Sequence, residues 1–208
     1  MVIAIDGPTA SGKGTIAKRL SERYGLRRLD TGALYRAVGL AVLDAGGEPA
    51  NKADAVREAM NLDLNSIDEG RIRSSQAGVA ASKVAAIPEV RAILLRAQQK
   101  FAFQPGGAVL DGRDIGTVIV PNATVKFYVT AASDVRAKRR LTELQSSGET
   151  ITLQDLVTQI RERDERDFER KDAPLELAPD AHLLDTTHLS IEAAVEAASR
   201  IVDEALRR

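Results

Sequence analysis

The sequence predicts an α/β fold in which a parallel sheet is flanked by helices. Three observations carry that expectation. Short apolar runs bounded by turn residues recur at residues 2–6, 108–111, 124–129 and 182–185; helical stretches lie between them; and a glycine-rich turn stands directly between the first run and the first helix. In such a sheet ligands sit beyond the carboxyl ends of the strands.

The first run is Val2-Ile3-Ala4-Ile5-Asp6, and the turn after it is Gly7-Pro8-Thr9-Ala10-Ser11-Gly12-Lys13-Gly14-Thr15. Gly7, Gly12 and Lys13 fit the G-x-x-x-x-G-K spacing of a P-loop, whose inward N–H groups wrap a polyphosphate at a helix N-terminus. The two glycines stand where a Cβ would obstruct the phosphate or the backbone angles, and Lys13 supplies a point charge for the β and γ phosphates. The residue after the lysine is Gly14, so the hydroxyl available to Mg²⁺ falls one place later, at Thr15. That Lys-Gly-Thr ending resembles the nucleoside monophosphate kinases. Residues 7–15 are the expected ATP-binding segment of a P-loop NTPase fold.

Composition narrows the class. The 208 residues suit a single domain, 1–208, and 44% hydrophobic against 28% charged residues is an ordinary enzyme balance. A net charge of −1 gives no reason to expect a nucleic-acid polymer or an anionic membrane as partner. There is no Cys, which excludes disulfides and thiolate chemistry, and the two histidines, His182 and His188, form no metal-like pattern. No uncharged apolar run reaches ~18 residues. The expectation is a cytoplasmic protein.

Along the chain, Ile16, Ala17, Leu20 and Tyr24 repeat at helical spacing and Gly25 supplies a stop. A second helix carries Leu34, Val38 and Ala41/Val42 inward and ends at Gly46-Gly47; a third runs from Asn51 to about Asn61. Residues 62–87 have the weakest pattern and read as an inserted, mobile segment. Pro88 opens a helix with Val90, Ile93, Leu94 and Ala97. After the strands near 108 and 124 come a basic helix from about Ser133 to Gln145, a Ser-Ser-Gly turn, a highly charged helix from about Thr152 to Lys171, the strand His182–Asp185, and a helix from Ser190 to Leu206.

Several further stretches occur in order: Asp30-Thr31-Gly32-Ala33-Leu34-Tyr35-Arg36, then Ala81-Ser82-Lys83-Val84-Ala85-Ala86-Ile87-Pro88-Glu89-Val90-Arg91, then Leu110-Asp111-Gly112-Arg113-Asp114-Ile115-Gly116-Thr117. Together with residues 7–15 they resemble the bacterial cytidylate kinase family over essentially the full chain. The resemblance implies ATP on the loop and Thr31, Tyr35, Arg36, Ser82, Arg91, Arg113 and Asp114 around an acceptor nucleotide. Residue chemistry agrees: cytosine offers an N4 donor beside N3 and O2 acceptors, which suits Asp114 with Arg91, and Arg36 and Arg113 suit a bidentate phosphate clamp. Each also has a plainer reading. Arg36 and Arg91 fit solvated helix positions, and Asp111 to Asp114 fits a strand-end turn with a local ion pair. Their joint placement at strand ends and helix starts favours a site.

Arg163, Arg166, Asp167 and Arg170 are spaced to share one helix face. By itself that is an exposed helix with pairs such as Arg163 with Asp167; the resemblance implies arginines closing over two nucleotides, with Asp167 near the acceptor sugar. Arg136 and Arg140 are likewise one-sided, with Lys138 and Arg139 beside them, and resemble lid arginines. The implied organisation is one kinase domain with a small acceptor-binding insert at about 62–87 and a helical lid at about 133–171. Lys13, Arg140, Arg163 and Arg166 are the expected catalytic cations, Thr15 the metal-side hydroxyl, and ATP, Mg²⁺ and CMP or dCMP the expected small molecules. A monomer is the family expectation. Two alternatives stay open, a kinase for another small acceptor (UMP, AMP or a non-nucleotide) and a GTP-dependent switch. The switch draws on Asn51-Lys52-Ala53-Asp54, which spells a guanine motif but reads better as a helix N-cap. Leu29 to Ala33 reads like an aspartic protease signature, yet a helix follows where those enzymes need a β framework.

Overall fold

A computed structural model describes residues 1–63, 67–68, 70–146 and 148–207. Its central strand β1 (Val2–Asp6) pairs with β3 (Ala108–Gly112) on one side and β4 (Val125–Thr130) on the other; β2 (Arg27–Asp30) lies outside β3, and β5 (His182–Asp185) outside β4. All these pairings are parallel, in the order β2-β3-β1-β4-β5. The sheet expected from the apolar runs is present, with one strand that the pattern misses. Arg27-Arg28-Leu29-Asp30 has no apolar run, because as an edge strand it pairs through backbone groups while its side chains stay partly exposed.

Alternate residues of the strands face two helical layers. Ile3, Ile5, Val109, Phe127 and Val129 pack against Ile16, Ala17 and Leu20 of α1 (Lys13–Tyr24) and Ala194, Ala198 and Val202 of α8 (Ile191–Ala205). The opposite face carries Ala4, Ala108 and Leu110 against Ala102 of α5 (Pro88–Ala102) and Ile115, Ile119 and Val120. Helix ends fall where the sequence places them: Gly25 ends α1 with φ 64°, Ser190 caps α8 by accepting from the Ala193 N–H, and Pro88 opens α5. Asn51 caps α3 (Lys52–Met60), accepting from the Ala53 and Asp54 N–H groups, so its side chain is engaged locally and the guanine-motif reading loses its base-reading amide.

A second apolar cluster joins α2 (Thr31–Asp44), α3 and α5 to α4 (Ser75–Val84) through Leu34, Val38, Val42, Ala55, Val84 and Leu94. Here the structure adds a helix that the weak pattern of residues 62–87 does not announce. Of that segment, 64–66 and 69 lie outside the described residues, as does Ser147 of the Ser-Ser-Gly turn. The remainder includes one 3₁₀ turn (Arg71–Arg73) and α4, with Ala77, Gly78, Ala80, Ala81, Ser82 and Val84 buried. The pattern is weak because a small-residue helix shows little hydrophobic contrast, yet small residues are what the site requires. A Cβ on Gly39 of α2 would lie 2.8 Å from the Ala80 Cβ and 2.9 Å from the Ala80 carbonyl carbon. A third cluster, Ala137 and Leu144 with Leu156 and Ile160, zips α6 (Ser133–Ser146) to α7 (Leu153–Glu169). No helix among the described residues is long and apolar enough to cross a membrane.

The Gly39 contact makes the α2–α4 approach sensitive to one methyl group. Gly39→Ala is expected to destabilise the chain by about 1–3 kcal/mol, measured as the urea midpoint at constant m-value. Ala80→Gly in the same chain should restore only part of the loss, because the Ala80 backbone carbon stays in the way; full restoration would show that the contact is side-chain crowding alone.

Candidate active site

Parallel strands bring their carboxyl ends to one edge, and the register makes this explicit: Asp6 stands beside Gly112, Asp30 beside Asp111 and Thr130 beside Asp185. The loop after β1 is pinned there. Gly7 has φ 150°, and a Cβ on it would lie 2.0 Å from the Val129 carbonyl oxygen, so no side chain fits. Gly12, at φ 94°, starts α1 in a left-handed conformation. Ser11 is fully buried, its carbonyl accepting from the Thr186 hydroxyl at 2.8 Å, and the Thr9 carbonyl accepts from Arg136 at 3.3 Å. Strand, loop and helix thus form one fixed unit whose α1 N-terminus opens into a cleft of about 940 Å³.

The cleft walls carry Lys13, Arg28, Arg36, Arg113, Arg140 and Arg163, with Asp30 and Asp111 between them. Lys13 Nζ donates to the Pro8 carbonyl at 3.0 Å, and burial followed by the nearby Arg113 charge push it down to about 7. Asp111 pairs with Arg28 at 3.0 Å; burial and then Asp30 push it up to about 6. Burial works to raise Asp30 as well, but Arg36, at 2.8 Å, outweighs it and holds the carboxyl below the usual range. Arg163, pushed down to about 9 by burial and Arg113, keeps its charge at neutral pH. Its nearest carboxylate contact, Asp167, is 3.9 Å away. The Nε groups of Arg163 and Arg36 are buried without a hydrogen-bond partner among the described residues.

Beyond β3 the chain sets down Arg113 and Asp114. Arg113 donates to Asp167 at 2.6 Å, and that pairing together with Arg163 outweighs the burial of Asp167 and lowers its carboxyl. Asp114 is buried, paired with Arg91 and, at 3.7 Å, with Arg170; the Arg91 guanidinium also lies 5.8 Å from the centre of the Tyr35 ring. Four of the sequence-predicted residues therefore meet in one place although they come from α2, α5, the β3 end and the residue after α7. Asp6, the last residue of β1, accepts from the Ile115 and Gly116 N–H groups just past Asp114; burial pushes it up to about 7 against those two donors. The Thr31 hydroxyl donates to the Asp111 carbonyl at 2.8 Å, so it ties α2 to β3.

Contacts also cross the mouth of the cleft. Arg166 Nε donates to the Ser82 hydroxyl at 2.9 Å, Arg140 to the Arg73 carbonyl at 2.9 Å, and the Glu149 carboxylate accepts the Ser75 N–H at 3.0 Å, joining the α6–α7 hairpin to α4. Arg136 is bound to Asp164 through both terminal nitrogens, at 3.2 and 2.6 Å, and so braces α6 on α7 rather than facing the cleft. Arg139 reaches the other way, donating to the Thr186 hydroxyl and carbonyl at 2.9 and 2.8 Å. It lines a separate groove of about 460 Å³ with Ala10, Gly12, Thr15, Thr142 and Leu189. Thr15 is exposed and borders both groove and cleft. Sequence reasoning gave no role to Arg28, Asp30, Asp111, Arg139 or Thr186. Strand-end position marks three of them, Asp30, Asp111 and Thr186; nothing local marks the two arginines.

A parallel sheet with a P-loop at its central strand, opening on a cleft lined by guanidinium groups from several elements, is that of a P-loop kinase with the nucleoside monophosphate kinase fold. The cytidylate kinase family model matches residues 3–204. The chain is 53% identical over 207 residues to a cytidylate kinase of Caulobacter vibrioides (strain NA1000 / CB15N), covering 100% of this chain and 97% of that protein. It is 55% identical to one of Bradyrhizobium sp. (strain ORS 278), covering 98% and 96%. An uncharacterized protein from Eubacterium ventriosum ATCC 27560 shares the fold with a TM-score of 0.56 at 14% identity, covering 98% of each chain. The chain belongs to the cytidylate kinase family.

The depressed Lys13 ammonium predicts proton uptake on anion binding. With a free-site value of about 7 the side chain is mostly neutral at pH 8, and a polyphosphate against it favours the charged form. Calorimetry of tripolyphosphate binding in metal-free buffers of different ionisation enthalpy should show about one proton more taken up by the wild type than by Lys13→Arg at pH 8. At pH 6, where Lys13 is already charged, the difference should vanish; equal uptake by both proteins at pH 8 would place the Lys13 titration elsewhere.

Proposed function

We propose that the chain transfers the γ-phosphoryl group of ATP to CMP or dCMP, giving ADP and the corresponding diphosphate, as a cytoplasmic, monomeric enzyme of pyrimidine nucleotide metabolism. The observation that carries this reading is the pair of unsatisfied, buried guanidinium N–H groups, on Arg36 and Arg163, in a cleft that also opens onto a P-loop. Buried donors without acceptors call for an anionic ligand.

In this reading Gly7, Pro8, Thr9, Ala10, Ser11, Gly12, Lys13, Gly14 and Thr15 wrap the triphosphate, with the adenosine in the groove beside Arg139 and Thr186. Arg36 and Arg113 take the acceptor phosphate, Asp167, Arg163 and Ser82 the sugar side, and Asp114 with Arg91, Arg170 and Tyr35 the base. Asp114 receives the cytosine N4 amino group while Arg91 donates to O2 or N3; uracil would turn O4 toward the carboxylate. The transfer asks for alignment and charge over the migrating group, which Lys13, Arg140, Arg163 and Arg166 supply. The residues fit a hard divalent cation: the Asp111 carboxylate and the Thr15 hydroxyl both line the cleft at the start of α1, and oxygen donors of this kind are what such a cation takes. Asp111 and Thr15 would hold Mg²⁺ there, and bound it would neutralise phosphate charge. The contacts from α4 to the α6–α7 hairpin support an acceptor-side segment and a lid that close together and exclude water.

Coupled ADP release across a panel of nucleoside monophosphates tests the assignment. CMP and dCMP should turn over fastest, and Asp114→Ala should lose the preference over UMP; a faster rate with AMP or UMP would assign another acceptor. Arg163→Ala and Arg166→Ala should each lower kcat by about 10³-fold or more while changing the KM for ATP far less. Near-normal kcat in both would remove these arginines from the transfer step.

A further inference from the structure

We propose that Asp6 is a positioning residue for acceptor-base recognition: it caps the turn after Asp114 from the neighbouring strand and thereby leaves the Asp114 carboxylate free to face the base. The inference rests on the reading of Asp114 given above. Asp114 immediately precedes the helical turn Ile115–Ile119, the position from which an aspartate ordinarily folds its own carboxylate onto the N–H two or three residues ahead. It makes no such bond. Its backbone carbonyl still closes the turn, accepting from Val118 and Ile119 at 2.9 and 3.1 Å. The N–H groups at the start of the turn go instead to Asp6, Ile115 to Oδ1 at 2.7 Å and Gly116 to Oδ2 at 2.8 Å.

The placement follows from the sheet. Asp6 and Gly112 are register partners at the ends of β1 and β3, so the Asp6 side chain projects under the turn that begins at Ile115, just past the end of β3. Gly116 keeps the approach open, since a Cβ there would lie 3.3 Å from Asp6 Oδ2 and 3.1 Å from the Lys126 Cδ. With its capping work done by another residue, the Asp114 carboxylate turns to Arg91 and Arg170. Removing the Asp6 acceptor would leave the N–H of the buried Gly116 unpaired, and Asp114, as the residue before the turn, stands at the position from which its own carboxylate could take over the cap.

Asp6→Asn is isosteric but offers one acceptor oxygen and points an N–H₂ at the second backbone donor. In wild type, Asp6→Asn, Asp114→Asn and the double variant, kcat and KM are measured for CMP, UMP and ATP. Asp6→Asn should lower kcat/KM for CMP by about tenfold, the fold-change of one lost charged hydrogen bond, mainly through KM. The CMP-over-UMP preference should fall with it, and KM for ATP should stay within about twofold of wild type. In the Asp114→Asn background the same change should cost no further preference, because both residues act through one group. An unaltered preference in Asp6→Asn, or an equal further loss in the double variant, overturns the proposal. A purely structural role would slow both acceptors alike. Wild type without any CMP preference would instead sink the functional reading. Should Asp6→Asn fail to fold, amide exchange in the wild type decides: Ile115 and Gly116 are expected to be protected without ligand, and exchange at unstructured-chain rates would overturn the cap.

Discussion

The cleft is organised by the difficulty of keeping a group of partly buried cations close together. A buried, unpaired charge is costly, and most of the guanidinium groups here are neutralised by a carboxylate that arrives from a different element: Arg28 by Asp111, Arg36 by Asp30, Arg91 by Asp114, Arg113 by Asp167. Two groups are left poorly compensated. Among the described residues Lys13 hydrogen-bonds only a neutral carbonyl, with Asp111 and Asp30 acting on it through their charge, and Arg163 meets a carboxylate 3.9 Å away that is already engaged by Arg113. Their depressed values express the same deficit, burial first and Arg113 second in both cases. The site is therefore largely balanced by its own carboxylates and still short of negative charge where a phosphoryl group would pass.

That balance depends on rigid placement. The P-loop is fixed on three sides: Gly7 against the Val129 carbonyl, Ser11 by Thr186, and Thr9 by Arg136. Arg136 draws its own rigidity from the bidentate pair with Asp164, so one buried ion pair links the donor loop to α7, the helix that carries Arg163, Arg166 and Asp167. The opposite wall is fixed differently, through small-residue packing of α4 on α2. A shift of α4 would move Ser82, and with it the contact to Arg166. Among the described residues the contacts between the two walls named above each use a side chain on at least one side.

Much of this was legible in the residue string because the signals are local. Glycine spacing, a lysine and an apolar run identify a phosphate loop without tertiary information, since all of them fall between Val2 and Thr15. The caps at Asn51 and Ser190 and the stop at Gly25 are equally local. The motif resemblance supplied the residues around Asp114. What was not legible depends on the contrast a pattern needs: α4 is built of alanine, glycine and serine, and β2 is a polar edge strand, so neither stands out from its surroundings.

The sequence by itself determined the class of the sheet, the phosphate loop and the set of arginines, because periodicity and turn chemistry act over a few residues. Only the tertiary structure decided which arginines are committed and which are available. Arg136 and Arg140 lie one helical turn apart and look alike in the sequence, yet one is buried against Asp164 and the other lines the cleft. The same holds for the carboxylates: Asp6 and Asp114 lie more than a hundred residues apart, and only the pairing of β1 with β3 puts the first under the turn that follows the second. Charge partnership is set by distance in space, and distance in space is set by strand register and helix packing, which the order of residues does not display.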